Sequence, residues 1–150
     1  MSDFDPHISR ACDGYTRAVH EKDVEAFLSL YHPAARVFDT WGIWSYEGEP
    51  GRRKIIEAWF GSLGEERVAV TFDRVQATVT SDLAALTARV IYAAISPAGA
   101  ELRSMQNRLT WVLKPGGGTW KIIHEHMSPL GGPGPGAGGP PPGAGGRANS

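Results

Sequence analysis

The chain is an α+β protein in which helices come first and a long antiparallel meander follows. Three observations predict this. Apolar side chains recur at helical spacing through the first part of the chain, the period changes to two from Val68 onward, and short turns rich in Gly, Pro, Ser and Asp join the later segments. Helices that precede such a meander pack on one face of its sheet. With 150 residues and 41% hydrophobic content, the chain suits one globular domain.

The helices are punctuated as helices should be. Asp5-Pro6 supplies a capping carboxylate and a proline at the first helical position. Ile8, Ala11, Tyr15 and Val19 then line up as one apolar face. Gly14 costs that helix about 1 kcal/mol relative to Ala, a penalty that the close approach of another element would explain. Asp23 caps a second helix with Val24, Phe27, Leu28 and Tyr31 on its inner side, and His32-Pro33 stops it because the residue before a proline avoids helical angles. Ala35 to Thr40 and Trp44 to Tyr46 read as short strands, the latter before a turn at Glu47-Gly48. Arg52 to Phe60 forms a third helix with Ile55, Ile56, Trp59 and Phe60 facing inward and Gly61 at its end.

Four long strands follow, Val68 to Thr80, Leu83 to Ser96, Glu101 to Lys114 and Thr119 to Ser128. Ser81-Asp82, Pro97-Ala98-Gly99 and Pro115-Gly116-Gly117-Gly118 join them, so adjacent pairs are antiparallel. From Gly131 to Ser150 the composition shifts to nine Gly and five Pro among twenty residues, with Arg147 the single charge. Such a segment buries too little to offset the entropy of ordering it. The expected organisation is a domain over residues 1–130 and a disordered tail over 131–150.

Composition also narrows the function. The formal charge is −1, from 15 basic and 16 acidic side chains, and the longest basic run is Arg52-Arg53-Lys54, read as a solvated helix face. That footprint is too small for nucleic-acid binding. The amino terminus shows no secretory pattern, and the longest apolar-rich stretch, Val90 to Ile95, is too short to span a bilayer. One cysteine, Cys12, fits a reducing compartment and reads as a small hydrophobe in a helix. A cytoplasmic protein with neither nucleic-acid nor membrane partner is expected.

The chemistry rests on a few polar residues set among apolar ones. Tyr15, on the face of the first helix, and Asp39, at the end of the first strand, are twenty-four residues apart. A phenol that donates a hydrogen bond, beside a carboxylate that removes a proton, is a minimal acid–base pair for reactions next to a carbonyl. Tyr15 reads equally as a core tyrosine bonded to a backbone carbonyl. Asp39, beside Phe38 and Trp41, is costly to bury unpaired; its alternative is a turn aspartate bonding the backbone around Thr40 to Gly42. In dry surroundings its pKa would rise and make it a better base.

Alternation places Met105, Asn107, Leu109, Trp111 and Leu113 on one strand face, and Trp120, Ile122, His124 and His126 on the corresponding face of the last strand. Asn107 and the two histidines are the polar exceptions, hence site candidates. The histidines read as cavity-wall groups that orient a substrate or share a proton with Asp39 or Tyr15, or as structural hydrogen-bonders. Metal ligation together with Asp39 lacks any second supporting motif, and no metal is expected. Trp41, Tyr46, Trp59, Tyr92, Trp111 and Trp120 are the expected ligand contacts, supplying walls for a flat apolar molecule. Arg89 and Tyr92 lie on opposite strand faces, with Tyr92 the inward one.

Several stretches carry a family likeness: Tyr15 to Asp39 with Asp23-Val24-Glu25-Ala26-Phe27 and Leu30-Tyr31 inside it, Tyr46-Glu47-Gly48, Asn107 to Leu113, and Gly118 to Ser128. They resemble the nuclear-transport-factor-2-like superfamily, which includes ketosteroid isomerases and SnoaL-like polyketide cyclases, over roughly residues 5 to 130. The resemblance implies a cone-shaped, barrel-like curved antiparallel sheet with three N-terminal helices packed on its concave face. In the steroid isomerases a tyrosine on the first helix donates to the substrate oxygen, and an aspartate at the end of the first strand takes and returns the proton. Ungapped register puts these at Tyr15 and Asp39. The family's second oxyanion donor, a carboxylic acid kept protonated by apolar surroundings, is replaced by Asn107. An amide donates at every accessible pH but more weakly. Losing such a donor outright costs about 2.7–4 kcal/mol, and replacing it costs less.

Two functions follow. One is a cofactor-independent enzyme acting on a small hydrophobic carbonyl compound by isomerisation, cyclisation or dehydration. Asp39 would be its base, Tyr15 and Asn107 its oxyanion donors, and His124 or His126 its aid to proton return. The other is a non-catalytic ligand-binding or homodimeric association domain, with Arg108, Thr110 and Val112 on the outer sheet face.

Overall fold

A computed structural model describes residues 5–38, 46–47 and 49–130. Helix α1, Pro6–Glu21, starts at Asp5, whose carboxylate accepts from the His7 amide at 2.8 Å. It ends at Lys22, in the left-handed region with φ 56°. Its buried face carries Ile8, Ala11, Cys12, Tyr15, Ala18 and Val19. The close approach expected at Gly14 is present, since a Cβ there would sit 2.9 Å from Leu30 Cδ2.

Helix α2, Val24–Ser29, is capped by Asp23, which accepts from the Ala26 amide at 3.0 Å. It stops earlier than its apolar spacing suggests. Strand β1 runs over Tyr31–Phe38, so Tyr31 belongs to the sheet rather than to the helix. The cause is tertiary: the Ile122 amide donates to Leu30 O at 2.9 Å, and Tyr31 pairs with Ile122. Pro33, which has no N–H to give, falls where the pairing register shifts between Tyr31 and Arg36.

Strand β2 is short, Tyr46–Glu47, and pairs antiparallel with β1. Helix α3, Glu49–Ser62, begins earlier than expected because Pro50 is tolerated in a first turn, and runs through Gly61. The glycine that turns the chain is Gly64, at φ +60°. Ile56, Trp59 and Phe60 are buried as expected. Arg52 corrects the expectation of a solvated basic face. It is 4% exposed, its guanidinium donates to Ala35 O and His32 O at 3.2 Å each, and it lies 5.3 Å over the Tyr31 ring. Arg53 does face outward, bound to Glu25 and Glu49.

Strands β3 (Arg67–Val79), β4 (Ala84–Ile95), β5 (Glu101–Gly116) and β6 (Thr119–Pro129) form the meander. Gly117 and Gly118, at φ 64° and 88°, make the β5–β6 turn, a geometry that suits the right-handed twist of the flanking strands. The sheet order is β2-β1-β6-β5-β4-β3, with β1 and β6 parallel and every other neighbouring pair antiparallel. The sheet is curved and unclosed, with the N-terminal helices packed on it. Tyr15 of α1 meets Phe72 of β3 and Trp111 of β5 at ring separations of 5.7 and 5.6 Å.

One irregularity decides which side chains enter the core. Val112 pairs with His124, but Leu113 pairs with Ile122, so Ile123 is an extra residue in β6. Such a bulge inverts the side-chain parity beyond it. Ile122, Glu125 and Met127 are buried, whereas His126 is exposed and His124 only half-buried. The expectation that His124 and His126 share the inner face with Ile122 is therefore corrected. Both lie on the outer face with Phe38, whose ring is 5.0 Å from His124 and 5.4 Å from His126.

Candidate active site

Tyr15 is placed by the apolar face of α1, and Tyr92 and Asn107 by the inward alternation of β4 and β5. The Tyr15 and Tyr92 hydroxyls are 2.8 Å apart, each positioned to donate to the other. The Tyr92 hydroxyl also approaches the Met127 sulfur at 3.5 Å, and Asn107 Nδ2 reaches the same sulfur at 3.6 Å. One phenol and an amide thus converge on the Met127 thioether, and Tyr15 joins the group through Tyr92. Burial, with added repulsion from Tyr92, Tyr31 and Glu125, raises the Tyr15 pKa well above its ordinary value. Tyr15 therefore stays a hydrogen-bond donor at any physiological pH.

Beside this cluster lies a carboxyl that sequence reasoning missed. Glu125 is 6% exposed, and both Tyr31 Oη, at 2.5 Å, and Trp111 Nε1, at 2.9 Å, donate to its Oε1. Burial pushes its pKa up; the two hydrogen bonds and the positive charges of Arg52 and His124 oppose that rise, and burial prevails. Tyr31 is likewise raised by burial and by the neighbouring carboxyl. A hint of Glu125 existed in Ile122-Ile123, two apolar residues in succession where alternation demands one. Arg52, hidden in a basic run, left no such trace.

Among the expected ligand contacts, Trp59, Tyr92 and Trp111 are buried in the core, with Trp59 6.1 Å from Tyr92. Trp120 is displaced from that group. It is half-buried and stacks on His7 at 5.0 Å, where it lines a separate cleft of about 150 Å³ with Arg10 and Lys121. Asp39 and Trp41 lie outside the described residues, as does the side chain of Tyr46, and so does the expected tail over 131–150. Cys12 is 1% exposed and burial pushes its thiol up to about 12, so it is an inert part of the core. Among the described residues no group of three or more His, Cys, Asp or Glu is arranged to hold a metal, and no helix is long and apolar enough to cross a membrane.

The comparisons agree with this architecture. The SnoaL-like domain pattern matches residues 8–131. No curated protein matches the sequence. Among solved structures, Aln2 from a Streptomyces species superimposes with a TM-score of 0.72 at 13% identity, over 83% of this chain and 91% of that one. An NTF2-like protein of unknown function from Pseudomonas putida gives 0.71 at 19% identity, over 87% and 89%. An NTF2-like protein with a cystatin-like fold from Novosphingobium aromaticivorans gives 0.65 at 15%, over 81% and 78%. At these identities the likeness is one of fold.

Proposed function

This chain belongs to the SnoaL-like domain family, and from that membership we propose a small, cofactor-independent acid–base enzyme that enolises a hydrophobic carbonyl compound. Asp39 takes a proton from the carbon next to the carbonyl. The C–H electron pair becomes the C=C bond and the carbonyl π pair moves onto oxygen, where Tyr15 and Asn107 donate to it. Delivery of the proton to another carbon completes an isomerisation, attack on a second carbonyl a cyclisation, and loss of a β-hydroxyl a dehydration. Glu125, the acid whose burial favours its protonated form, takes the proton-returning role that the outward histidines do not fill.

The observation that carries this reading is the Tyr15 hydroxyl, buried, kept protonated, and 2.8 Å from Tyr92 in a cluster that includes Asn107. When Tyr92 donates to Tyr15, the Tyr15 proton is released for a ligand oxygen. The test is titration with 2-naphthol, a hydrophobic phenol whose anion mimics an enolate. A structure of the complex should place the naphthol oxygen about 2.7–3.1 Å from Tyr15 Oη and Asn107 Nδ2. Tyr15→Phe should weaken binding about tenfold, equivalent to about 1.4 kcal/mol; undiminished affinity in that variant removes Tyr15 from the site. Asp39→Asn should retain binding yet lose turnover on any substrate of the wild type, and full activity there removes Asp39 as the base.

The outer face favours a second reading, association with another copy of the chain, with or without chemistry. Arg108 and Thr110 are exposed and Val112 half-buried on β5. Beside them lie Phe38 and the two histidines, an aromatic patch on a mixed polar surface. That mixture suits an isologous contact.

A further inference from the structure

Enolisation as proposed above uses only half of Asn107. The residue is 1% exposed, its Nδ2 reaches the Met127 sulfur, and its Oδ1 accepts no hydrogen bond from any described residue. A buried acceptor left in this state is destabilising, because the hydrogen bond it made to water is not replaced. Its cross-strand neighbours are Val90 and Pro129, neither of which has a side-chain donor, and Pro129 has no N–H either. Exchanging the two ends of the amide does not help. The thioether has no hydrogen to give, so the oxygen would face a sulfur and the NH2 group would become the orphan.

We propose that Asn107 Oδ1 receives an O–H or N–H carried by the substrate beside its carbonyl. The substrate class is then hydroxy- or amino-substituted carbonyl compounds rather than simple ketones. This rests on the site assigned above. The amide presents an N–H and a C=O side by side. A substrate oxygen that accepts from Tyr15 and Nδ2, with a donor on the neighbouring carbon, complements both. The same pairing separates such substrates from analogues that lack the donor, because the latter leave Oδ1 unpaired when water is excluded.

Three ligands of similar size test this on the full-length protein: 2-naphthol, 2,3-dihydroxynaphthalene and 3-methoxy-2-naphthol. The diol should bind about tenfold more tightly than 2-naphthol, and the methoxy compound, which has no second donor, no more tightly than 2-naphthol. Asn107→Leu, with its fold checked by near-UV circular dichroism, should erase the diol's advantage. The wild-type comparison stands by itself if that variant does not fold. Equal affinity for diol and monophenol overturns the inference while leaving the enolisation reading intact, and assigns Oδ1 to a bound water. A diol advantage that persists in folded Asn107→Leu also overturns it. Failure of all three ligands to bind overturns both this inference and the reading beneath it.

Discussion

Tyr31 and Glu125 stand 94 positions apart in the chain, and the Tyr31 hydroxyl donates to Glu125 Oε1 at 2.5 Å in the interior. Three elements must agree for this to happen. Strand β1 begins at Tyr31 because it pairs with β6, the bulge at Ile123 turns Glu125 inward, and Trp111 of β5 supplies the second donor. The Arg52 guanidinium of α3 lies over the Tyr31 ring, 5.3 Å from its centroid. Desolvation favours the protonated form of this carboxyl, and the two donors, which oppose that effect, satisfy its oxygen so that its burial is tolerated.

The pH dependence of stability follows from that raised pKa. Below about pH 4.5, the ordinary glutamate value, Glu125 is protonated in both folded and unfolded chains, and its contribution is fully present. As pH rises the unfolded chain releases the proton first, so stability declines until the folded-state pKa is passed and is level above it. Glu125→Gln keeps an acceptor and has no proton to lose. In urea unfolding from pH 4 to 8, the wild type should lose stability relative to this variant as pH rises, and a pH-independent difference would refute the assignment. Glu125→Leu leaves the Tyr31 and Trp111 donors unpaired and should destabilise at every pH, by about 1–3 kcal/mol per orphaned donor.

The tyrosine pair should behave as one unit. Tyr15→Phe and Tyr92→Phe each remove one side of the 2.8 Å contact, and each should cost about 0.5–1.5 kcal/mol. The double variant should cost less than the sum, because the second substitution has no partner left to orphan. Strictly additive losses in denaturant unfolding would mean that the hydroxyls are energetically independent.

Gly14 sets helix propensity against packing. Replacing it by Ala recovers about 1 kcal/mol of helix stability but brings a methyl to 2.9 Å from Leu30 Cδ2. Leu30 is half-buried and the contact is the far end of its side chain, so it can rotate aside. Gly14→Ala should change unfolding free energy by less than about 1 kcal/mol. Gly14→Val, larger and less helix-prone, should cost about 1–3 kcal/mol. Large destabilisation by Ala in thermal unfolding would show that Leu30 cannot yield.

Association through the outer face predicts a dimer in sedimentation equilibrium. Val112→Glu on that face should shift the chain to monomer while leaving its circular dichroism unchanged, since the side chain points away from the core. A wild-type chain that remains monomeric at high concentration rules the contact out.

Period, caps and breakers are local properties, and the elements that depend on them were legible in the sequence. The α1 cap at Asp5, the inward faces of β4 and β5, the hairpin turn at Gly117-Gly118 and the helices-then-sheet order all follow from neighbours a few residues apart. Tyr15, Tyr92 and Asn107 could be assigned to the interior on that basis. What depended on a distant partner could not be read. Tyr31 left its helical pattern for a strand because β6 offered backbone hydrogen bonds. Arg52 left the surface because β1 offered two carbonyls.

The last strand shows the division most clearly. Alternation alone turns His124 and His126 inward, and it holds only while the ladder is regular. One extra residue opposite Val112 and Leu113 reverses every side chain beyond it, exchanging two histidines for Glu125 and Met127. Residue types and their period determined that this strand would cross the core. The register against β5, a property of two chain segments that meet only in the folded protein, decided which of its polar groups the core would hold.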